Sequence, residues 1–339
     1  MINILIDVPI HPEKLAHLKN LPGTSITVID ASESKRIIPY ELLRDKHILF
    51  CSQPALNFDD MTSLEFIQIA SSGYNQLLGL NLADKGIRAC NAKGVFDVPI
   101  AEWCICMMIN LARDLRNMIR NQESKVWDRS ARFQKEIRGS TVGIWGYGSI
   151  GRETARLAKA LGMTVYAMSR SIKKSSDMPE IYRMPGTGDP DGLLPDRVFN
   201  AGQEIDFLQD LDFLILTMPL TNSTEGIIGE KELRALPDRA FILNPARGPI
   251  IQEDALLKAL QEGWIAGAAL DTHYHYPMPP DHPLWSFPNV IFTPHISGSS
   301  LSQNFASRIW DIFVQNVERF MAEKPLINEL SPSKLRGDS

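Results

Sequence analysis

Residues 143–151 read GIWGYGSIG, and this stretch decides the fold. Gly146, Gly148 and Gly151 have the G-x-G-x-x-G spacing, between an apolar strand and a segment with helical periodicity. A second apolar strand follows the helix. In this context the first glycine permits a tight turn, the second lets a pyrophosphate approach the backbone, and the third lets helix and strand pack closely. The pattern therefore predicts a dinucleotide bound at the helix N-terminus.

The fingerprint lies in the middle of the chain, and enough residues precede it for another domain. Apolar runs predict strands at 2–6, 25–29, 48–51, 66–70 and 87–91, with helices near 11–20 and 39–46. A second sheet is predicted at 141–145, 164–168, 213–218, 240–243, 265–270 and 289–293. This alternation predicts two doubly wound parallel-sheet domains. Residues 1–99 and 300–339 are assigned to one domain, and residues 100–299 to the other.

Three longer segments complete the prediction. A single helix is predicted over 98–122, so apolar that it should be buried, either at a domain or subunit contact or within one chain. Residues 171–203 are rich in Pro, Gly, Ser and Asp and predict a long surface loop. A last helix is predicted over 299–322, and the final dozen residues are expected to fray.

Composition is that of an ordinary soluble globular protein. The 339 residues carry a net charge of −5 and are 44% hydrophobic, with no long basic run, so we expect no nucleic-acid or membrane partner. The N-terminus has no basic region before its apolar residues and predicts a first strand rather than a signal peptide. Cysteines 51, 90, 104 and 106 have no metal-like spacing, and no metal site is predicted. Cys104 and Cys106 are expected to be reduced core residues, and the location to be cytoplasmic.

Three further segments are predicted at strand ends of the second sheet, where open α/β folds bind ligands. They are MPLTNST at 218–224, NPARGPI at 244–250 and TPHISG at 293–298. Taken alone, Arg247 reads as a surface ion-pair residue and His295 as a turn histidine. Because Arg247, Asp271 and His295 end successive strands, we expect them to converge on the nicotinamide end of the dinucleotide.

This pattern resembles the D-isomer-specific 2-hydroxyacid dehydrogenase family over nearly the whole chain. The matching motifs are GYGSIG, PLTxxT (219–224), NPARG (244–248), GAALD (267–271), HPLW through PNVIFTPHISG (282–298), SSGYN (71–75), NAKGV (91–95) and IAEW (100–103). The resemblance implies a Rossmann dinucleotide-binding domain inserted into a flavodoxin-like substrate domain. It also implies a homodimer and a small carboxylic acid as substrate.

The resemblance also implies roles for individual residues. Arg247 would bind the substrate carboxylate and polarise the keto oxygen, since its planar fork donates to two oxygens. His295 would be the acid for keto reduction and the base for alcohol oxidation. Backbone N–H groups of Ser72 and Gly73 would hold the carboxylate, and Asp271 would bind near the nicotinamide carboxamide. The implied cofactor contacts are Gly146, Gly148, Ser149, Ile150, Gly151, Ser169, Arg170, Lys173, Met218, Pro219, Thr224, Pro245, Ala246, Asp271, His295 and Gly298.

One position departs from the family. The family usually has a Glu five residues after the position of Asp271, where it pairs with the catalytic His, but this chain has Tyr276 there. A carboxylate would favour the imidazolium by charge attraction, whereas a neutral phenol can only orient the ring. We expect Tyr276 to act with His295 and the pKa of His295 to be lower than in the usual enzymes. Alternatively, Tyr276 only fills a substrate pocket.

The second strand of the second sheet bears on cofactor choice. NAD-selective members carry an Asp at its end, whereas this chain has Ser169 followed by Arg170. Ser and Arg can bind a 2′-phosphate that an Asp would repel, with Lys173 or Lys174 as further cations. NADP(H) is therefore the preferred prediction and NAD(H) the alternative, although Arg170 could simply point to solvent.

The leading prediction is an NADP-preferring enzyme that reduces a 2-keto acid, such as glyoxylate or hydroxypyruvate, to the D-hydroxy acid. The alternatives are hydride transfer on a less usual substrate, as in formate and phosphite dehydrogenases, and a dinucleotide-sensing protein like the C-terminal-binding-protein corepressors. Four aromatic residues are either pocket wall or core packing: Phe50, Tyr74, Tyr276 and Trp285.

Overall fold

The computed structural model describes residues 1–130, 134–177 and 180–337. The chain divides into two compact units. The first comprises Met1–Phe96, Met178–Pro185 and Ser300–Ser339, and the second comprises Asp97–Asp177 and Gly186–Ser299. Each unit is built on one parallel sheet.

The strands are β1 (Ile2–Asp7), β2 (Thr24–Val28), β3 (Ile48–Cys51), β4 (Phe66–Ile69), β5 (Arg88–Cys90), β6 (Thr141–Trp145), β7 (Thr164–Met168), β8 (Arg197–Phe199), β9 (Phe213–Leu216), β10 (Phe241–Asn244), β11 (Gly267–Leu270) and β12 (Val290–Phe292). The α-helices are α1 (Pro12–Lys19), α2 (Tyr40–Leu43), α3 (Asp97–Ala112), α4 (Leu115–Glu123), α5 (Ser149–Ala160), α6 (Glu204–Leu208), α7 (Glu230–Ala235), α8 (Glu253–Glu262), α9 (Gln303–Met321) and α10 (Pro332–Arg336). Among the described residues, every helix is too short or too polar to cross a membrane.

The first unit has the strand order β2-β1-β3-β4-β5, which is the flavodoxin-like order. Helix α9 packs on this sheet with a broad apolar face, and the core beneath it includes Phe50, Trp310 and Phe313. Phe50 is fully buried and stacks on Phe313 with ring centroids 4.2 Å apart. It is a core residue, so the pocket-wall interpretation of Phe50 is wrong.

The second unit has the strand order β12-β11-β10-β9-β6-β7-β8. Counted within the unit this is 3-2-1-4-5-6-7, the Rossmann order with one added strand. The order reverses beside β6, so the glycine turn after β6 lies at the carboxyl edge of the sheet, where such folds bind ligands. The fold class predicted from the sequence is confirmed.

Three predictions about helical parts of the chain need correction. The segment 98–122 forms two helices, α3 and α4, separated at Asp114, whose φ of 51° lies in the left-handed region. Cys106 on α3 is exposed rather than buried in the core. The end of the chain is also more ordered than predicted, since α10 is capped by the Ser331 side chain and buries Leu335. Residues 338–339, also expected to fray, lie outside the described residues.

The prediction of a surface loop over 171–203 is wrong in two places; residues 178–179 lie outside the described residues. The chain forms edge strand β8, paired with β7, and the segment 180–185 belongs to the first unit. There the Tyr182 side chain is buried, and its backbone N–H donates to Asn328 Oδ1 at 3.1 Å. Gly94 has a φ of +97°, and a Cβ there would lie 2.2 Å from the Tyr182 carbonyl oxygen. Specific packing, rather than solvent, therefore fixes this segment.

Candidate active site

The glycine turn has the geometry that a dinucleotide requires. Gly146 has a φ of +103°, and a Cβ there would lie 2.6 Å from the Met218 nitrogen; a Cβ on Gly151 would lie 2.5 Å from the Gly146 carbonyl oxygen. A Cβ on Gly148, by contrast, would meet no protein atom within 4 Å. Gly148 is also the N-cap of α5, which lacks a side-chain cap. The structure thus leaves space beside the N-terminus of α5, so the turn fits a bound phosphate.

A buried polar network that was not predicted from the sequence fixes the chain at Lys173 and at Asp189, on either side of residues 174–188. Arg152, 5% exposed on α5, donates to the carbonyl oxygens of Lys173, at 2.6 Å, and Asp189. The Tyr147 hydroxyl donates to Asp189 Oδ2 at 2.8 Å, and burial raises the pKa of Tyr147. Asp189 also accepts the N–H groups of Leu193 and Leu194 at 3.0 Å. In the sequence, the tyrosine within the glycine run and the arginine directly after it could have indicated this network.

The residues predicted to choose the cofactor follow β7. The Ser169 backbone N–H donates to the Phe199 carbonyl on β8 at 3.1 Å, and its hydroxyl donates to the Ser171 carbonyl at 3.1 Å. The side chains of Arg170, Lys173 and Lys174 are exposed. The backbone of residues 169–174 is therefore fixed at two places, by pairing with β8 and by the bond from Arg152. This segment carries the Ser169 hydroxyl and the three exposed cations.

The Arg247 turn follows β10 and is organised by Asn244. The buried Asn244 side chain accepts the Ala246 N–H at 3.1 Å and donates to the Arg247 carbonyl at 2.8 Å. A Cβ on Gly248 would lie 2.5 Å from the carbonyl carbon of His273, so the turn packs directly on the segment after β11. Arg247 is exposed and donates one bond, from Nη1 to the Ala246 carbonyl at 2.6 Å. Because guanidinium has five N–H donors, others are available to a ligand.

Asp271 organises the turn that carries His295. It is fully buried, and its carboxylate accepts the backbone N–H groups of Ile296 at 2.9 Å and Ser297 at 3.0 Å. It also accepts the hydroxyls of Thr293 and Ser297. His295 is held within this turn at a φ of 58°. The structure places Asp271 behind His295 as the support of its backbone.

Tyr276 contacts His295 directly. The Tyr276 hydroxyl lies 3.2 Å from His295 Nδ1, and it accepts the backbone N–H of His273 at 3.2 Å. His273 is itself fixed, because its Nε2 lies 2.8 Å from the Thr293 carbonyl oxygen and its side chain is buried. The contact with the His273 backbone was not predicted from the sequence, and it leaves one lone pair of the phenol oxygen for another hydrogen bond.

The surroundings of His295 disfavour its charged form. Burial lowers the pKa of His295 below its ordinary value, and the positive charge of Arg247 lowers this pKa further. The Asp271 carboxylate acts in the opposite direction. Tyr276 is not among the groups that shift this pKa, and its hydroxyl contacts His295 through a hydrogen bond.

The other predicted positions are placed as follows. The loop that follows β9 begins at Thr217, and its next residue, Met218, is buried. Thr224 Oγ1 donates to the Pro219 carbonyl at 2.7 Å and so closes this loop. Ser149 Oγ donates to Asp97 Oδ1 at 2.9 Å. The remaining cofactor positions lie on α5 or in the turns described above: Ile150, Pro245, Ala246 and Gly298.

Ser72 and Gly73 lie in the first unit, in the loop after β4. Asn91 Nδ2 donates to the Ser72 carbonyl at 2.6 Å, and Ser71 Oγ donates to the Gly73 carbonyl at 2.7 Å. A Cβ on Gly73 would meet no protein atom within 4 Å. The loop is thus fixed through its carbonyl groups.

The second unit combines a Rossmann-type sheet, a glycine turn that fits a phosphate, and an exposed arginine and a histidine at strand ends. These features together define a dinucleotide-dependent oxidoreductase. The family model described as the D-isomer specific 2-hydroxyacid dehydrogenase NAD binding domain matches residues 105–188 and 196–297. The chain belongs to this family, and it is an NAD(P)-dependent 2-hydroxyacid dehydrogenase.

Individual relatives agree with this assignment. The chain is 30% identical to the "Glyoxylate reductase" of Thermofilum pendens over 76% of this chain and 74% of the relative. A solved D-isomer specific 2-hydroxyacid dehydrogenase family protein from Aeromonas salmonicida superposes with a TM-score of 0.78 at 26% identity, covering 98% and 99% of the two chains. An NADPH-dependent glyoxylate/hydroxypyruvate reductase from Sinorhizobium meliloti superposes with a TM-score of 0.71 at 25% identity, covering 98% and 99%.

Proposed function

We propose that this protein is an NADP-preferring reductase of small 2-keto acids of the glyoxylate and hydroxypyruvate type. The observation that carries the proposal is the placement of Arg247 and His295 on two turns that both pack on the segment after β11. The names of the similar proteins from Thermofilum pendens and Sinorhizobium meliloti support the substrate class. The product is the D-2-hydroxy acid.

In this mechanism Arg247 binds the substrate. Its free N–H donors pair with the carboxylate and polarise the keto oxygen, which places positive charge where negative charge develops during reduction. The N–H groups of Ser72 and Gly73 are proposed as further carboxylate donors. A reduced dinucleotide whose phosphates are bound at the glycine turn would supply the hydride for the keto carbon.

His295 supplies the proton that the keto oxygen needs after hydride addition. In the protonated ring Nδ1–H donates to the Tyr276 oxygen, which also accepts the His273 N–H, so Nε2–H is the proton that the ring gives to the keto oxygen. The neutral ring that is left keeps its proton on Nδ1 and its hydrogen bond to the phenol, and its unprotonated Nε2 is the base in the oxidation direction. Tyr276 therefore holds the ring in one orientation in both states without adding charge.

The preference for NADP rests on the end of β7. Arg170 and Lys173 are exposed cations beside Ser169, and no carboxylate occupies the Ser169 position to repel a 2′-phosphate. Charge-assisted hydrogen bonds are worth about 1.5–3 kcal/mol each. One such bond therefore corresponds to roughly 10- to 100-fold in affinity.

The test is kcat/KM for glyoxylate and hydroxypyruvate with NADPH and with NADH. We expect wild type to prefer NADPH, Arg170→Ala to lose roughly 10- to 100-fold with NADPH alone, and Ser169→Asp to reverse the preference. Lys231→Ala, an exposed cation on α7, is the matched control and should leave both cofactors unchanged. A wild-type preference for NADH would refute the cofactor choice, and no turnover of any 2-keto acid alongside tight NADPH binding would favour a sensing role.

We also propose that the enzyme is a homodimer. Exposed apolar side chains cluster in sequence on α3, on α4 and just after it: Ile109, Leu115, Ile119, Val126 and the 90% exposed Trp127. Sedimentation of wild type and Trp127→Asp tests this proposal, since a monomeric wild type contradicts it. A cytoplasmic location and the absence of a nucleic-acid partner remain predictions from the sequence.

A further inference from the structure

A second cluster of ligand-type side chains lies outside the residues assigned to substrate and cofactor. Glu253, the first residue of α8, lies with its Oε1 2.7 Å from His282 Nε2 and its Oε2 3.9 Å from His275 Nε2. One potential ligand atom from each of the three side chains lies within 4.8 Å of the others. Among the residues that the structure describes, this is the one His, Cys, Asp and Glu group with such spacing.

We propose that Glu253, His275 and His282 bind a transition-metal cation of the Zn²⁺ class. Two imidazole nitrogens and one carboxylate oxygen are ligands that Zn²⁺ prefers, and a water molecule would complete a tetrahedral site. A set with a single carboxylate is too poor in oxygen for Ca²⁺ or Mg²⁺, which require mainly oxygen ligands. The sequence pattern did not reveal this site, because the ligands come from two separated segments.

The cluster is half formed. Ligand atoms at about 2.0–2.1 Å from one zinc ion lie about 3.4 Å apart in a tetrahedron. The pair of Glu253 and His282 is already closer than this, and the His282 side chain is only 9% exposed. The His275 side chain is 52% exposed, so it can rotate toward the ion through the gap of 3.9 Å. Metal binding therefore requires the Glu253–His282 pair to open from 2.7 Å to about 3.4 Å and the exposed His275 side chain to move toward it.

The protons also have to be rearranged. Nδ1 of His282 accepts the Leu284 N–H at 3.3 Å, so the neutral ring carries its proton on Nε2, toward Glu253. Coordination through Nε2 moves the ring proton to Nδ1, so it ends both the 2.7 Å hydrogen bond to Glu253 and the long hydrogen bond from Leu284. The metal–nitrogen bond at Nε2 replaces the first, and the second, at 3.3 Å, is near the outer limit of hydrogen bonding.

Occupation of the site would also restrain the candidate active site. His275 directly precedes Tyr276, whose hydroxyl contacts His295. An ion that draws His275 toward α8 would fix the segment that carries this phenol.

The test is calorimetric titration of the full-length protein with Zn²⁺ in a Cys106→Ser background, which removes the exposed thiol. We expect one ion per chain, and at least about tenfold weaker binding in His275→Ala and in Glu253→Gln. His275→Asp, which restores a ligand, should recover binding. His17→Ala is the matched control, because His17 pairs with Glu318 at 2.8 Å on the surface without belonging to such a group.

Co²⁺ is the second probe, since a tetrahedral site gives intense visible absorption that His275→Ala should abolish. His275 is exposed, so this variant should fold, and its melting curve checks that it does. The proposal is overturned if Zn²⁺ does not bind, if His275→Ala and Glu253→Gln bind like the parent, or if His17→Ala removes the ion. None of these measurements depends on the substrate, so a wrong substrate class would leave the result unaffected.

Discussion

Replacing Tyr276 by Glu should raise the pKa of His295 and shift the pH dependence of both reaction directions. The substitution places a carboxylate where a neutral hydroxyl now lies 3.2 Å from Nδ1. A pair of unit charges at 4 Å is worth about 1 kcal/mol in water and about 4 kcal/mol at an effective dielectric constant near 20. Tyr276 is 58% exposed, so solvent screens the pair and the lower end applies. At 1.36 kcal/mol per unit, the expected rise is about one pKa unit.

The sign differs between the two directions. Reduction needs protonated His295, so its kcat/KM falls about tenfold per pH unit above the pKa of His295. In wild type this fall begins below the ordinary value of 6.5, because burial and Arg247 lower the pKa of His295. In Tyr276→Glu the fall begins about one unit higher. Reduction at neutral pH should therefore become roughly tenfold faster where chemistry limits the rate, and oxidation should become slower.

The assay is the pH profile of kcat/KM for reduction and for oxidation of the same acid pair, with NADPH and NADP. Tyr276→Phe is the matched control, because it removes the hydroxyl but adds no charge. Its profile should not move upward. If Tyr276→Glu has the wild-type profile in both directions, then His295 is not the titrating acid or Tyr276 does not act on it.

Three further predictions follow from the same contacts. Gly148→Ala should leave the melting temperature unchanged but weaken NADPH binding, whereas Gly151→Ala should lower the melting temperature, because its Cβ would lie 2.5 Å from a carbonyl oxygen. A calorimetric scan measures the melting temperature and a fluorescence titration measures NADPH binding. Equal losses of melting temperature in the two variants would contradict this prediction. Asp271→Asn should reduce kcat by roughly 10²-fold or more, because an amide cannot accept four hydrogen bonds from the 293–297 segment and His295 is then misplaced; an unchanged kcat would show that this support is dispensable. Tyr147→Phe should lower the free energy of unfolding by about 1–3 kcal/mol in urea, since Asp189 loses a buried donor, and a loss near zero would mean that water replaces the phenol.

The strands of both sheets could be predicted because parallel strands covered on both faces are continuous apolar runs, as at 48–51 and 213–216. Edge strand β8 lacks this signal, since Arg197 and Val198 are exposed. The break between α3 and α4 was missed because the apolar pattern continues through it, although Asp114 tolerates the left-handed conformation. The capping Ser331 and the following Pro332 were a readable helix start.

At the candidate site, the positions of Arg247, His295 and Tyr276 could be predicted because each follows a strand end at a spacing that the family resemblance fixes. The contacts that support these side chains could not be predicted. The contact of Gly248 with His273 and the bond from the His273 N–H to Tyr276 depend on the backbone path of two separate loops. Burial of Tyr182 in the first unit depends on partners more than a hundred residues away in sequence, such as Asn328, and local periodicity carries no information about them.

The segment 180–185 limits where this chain can be divided to build chimaeras with a relative. Because it belongs to the first unit, the chain passes between the units at 96/97, between residues 177 and 180, at 185/186 and at 299/300, rather than at two points only. Exchanging residues 97–299 for the matching block of a relative would also remove Tyr182 from the core of the recipient unit and its bond to Asn328. A chimaera built on the two outer breakpoints alone would thus pack the relative's residues, in place of Tyr182, against the first unit. Any successful graft must keep this short excursion together with the unit on which it packs.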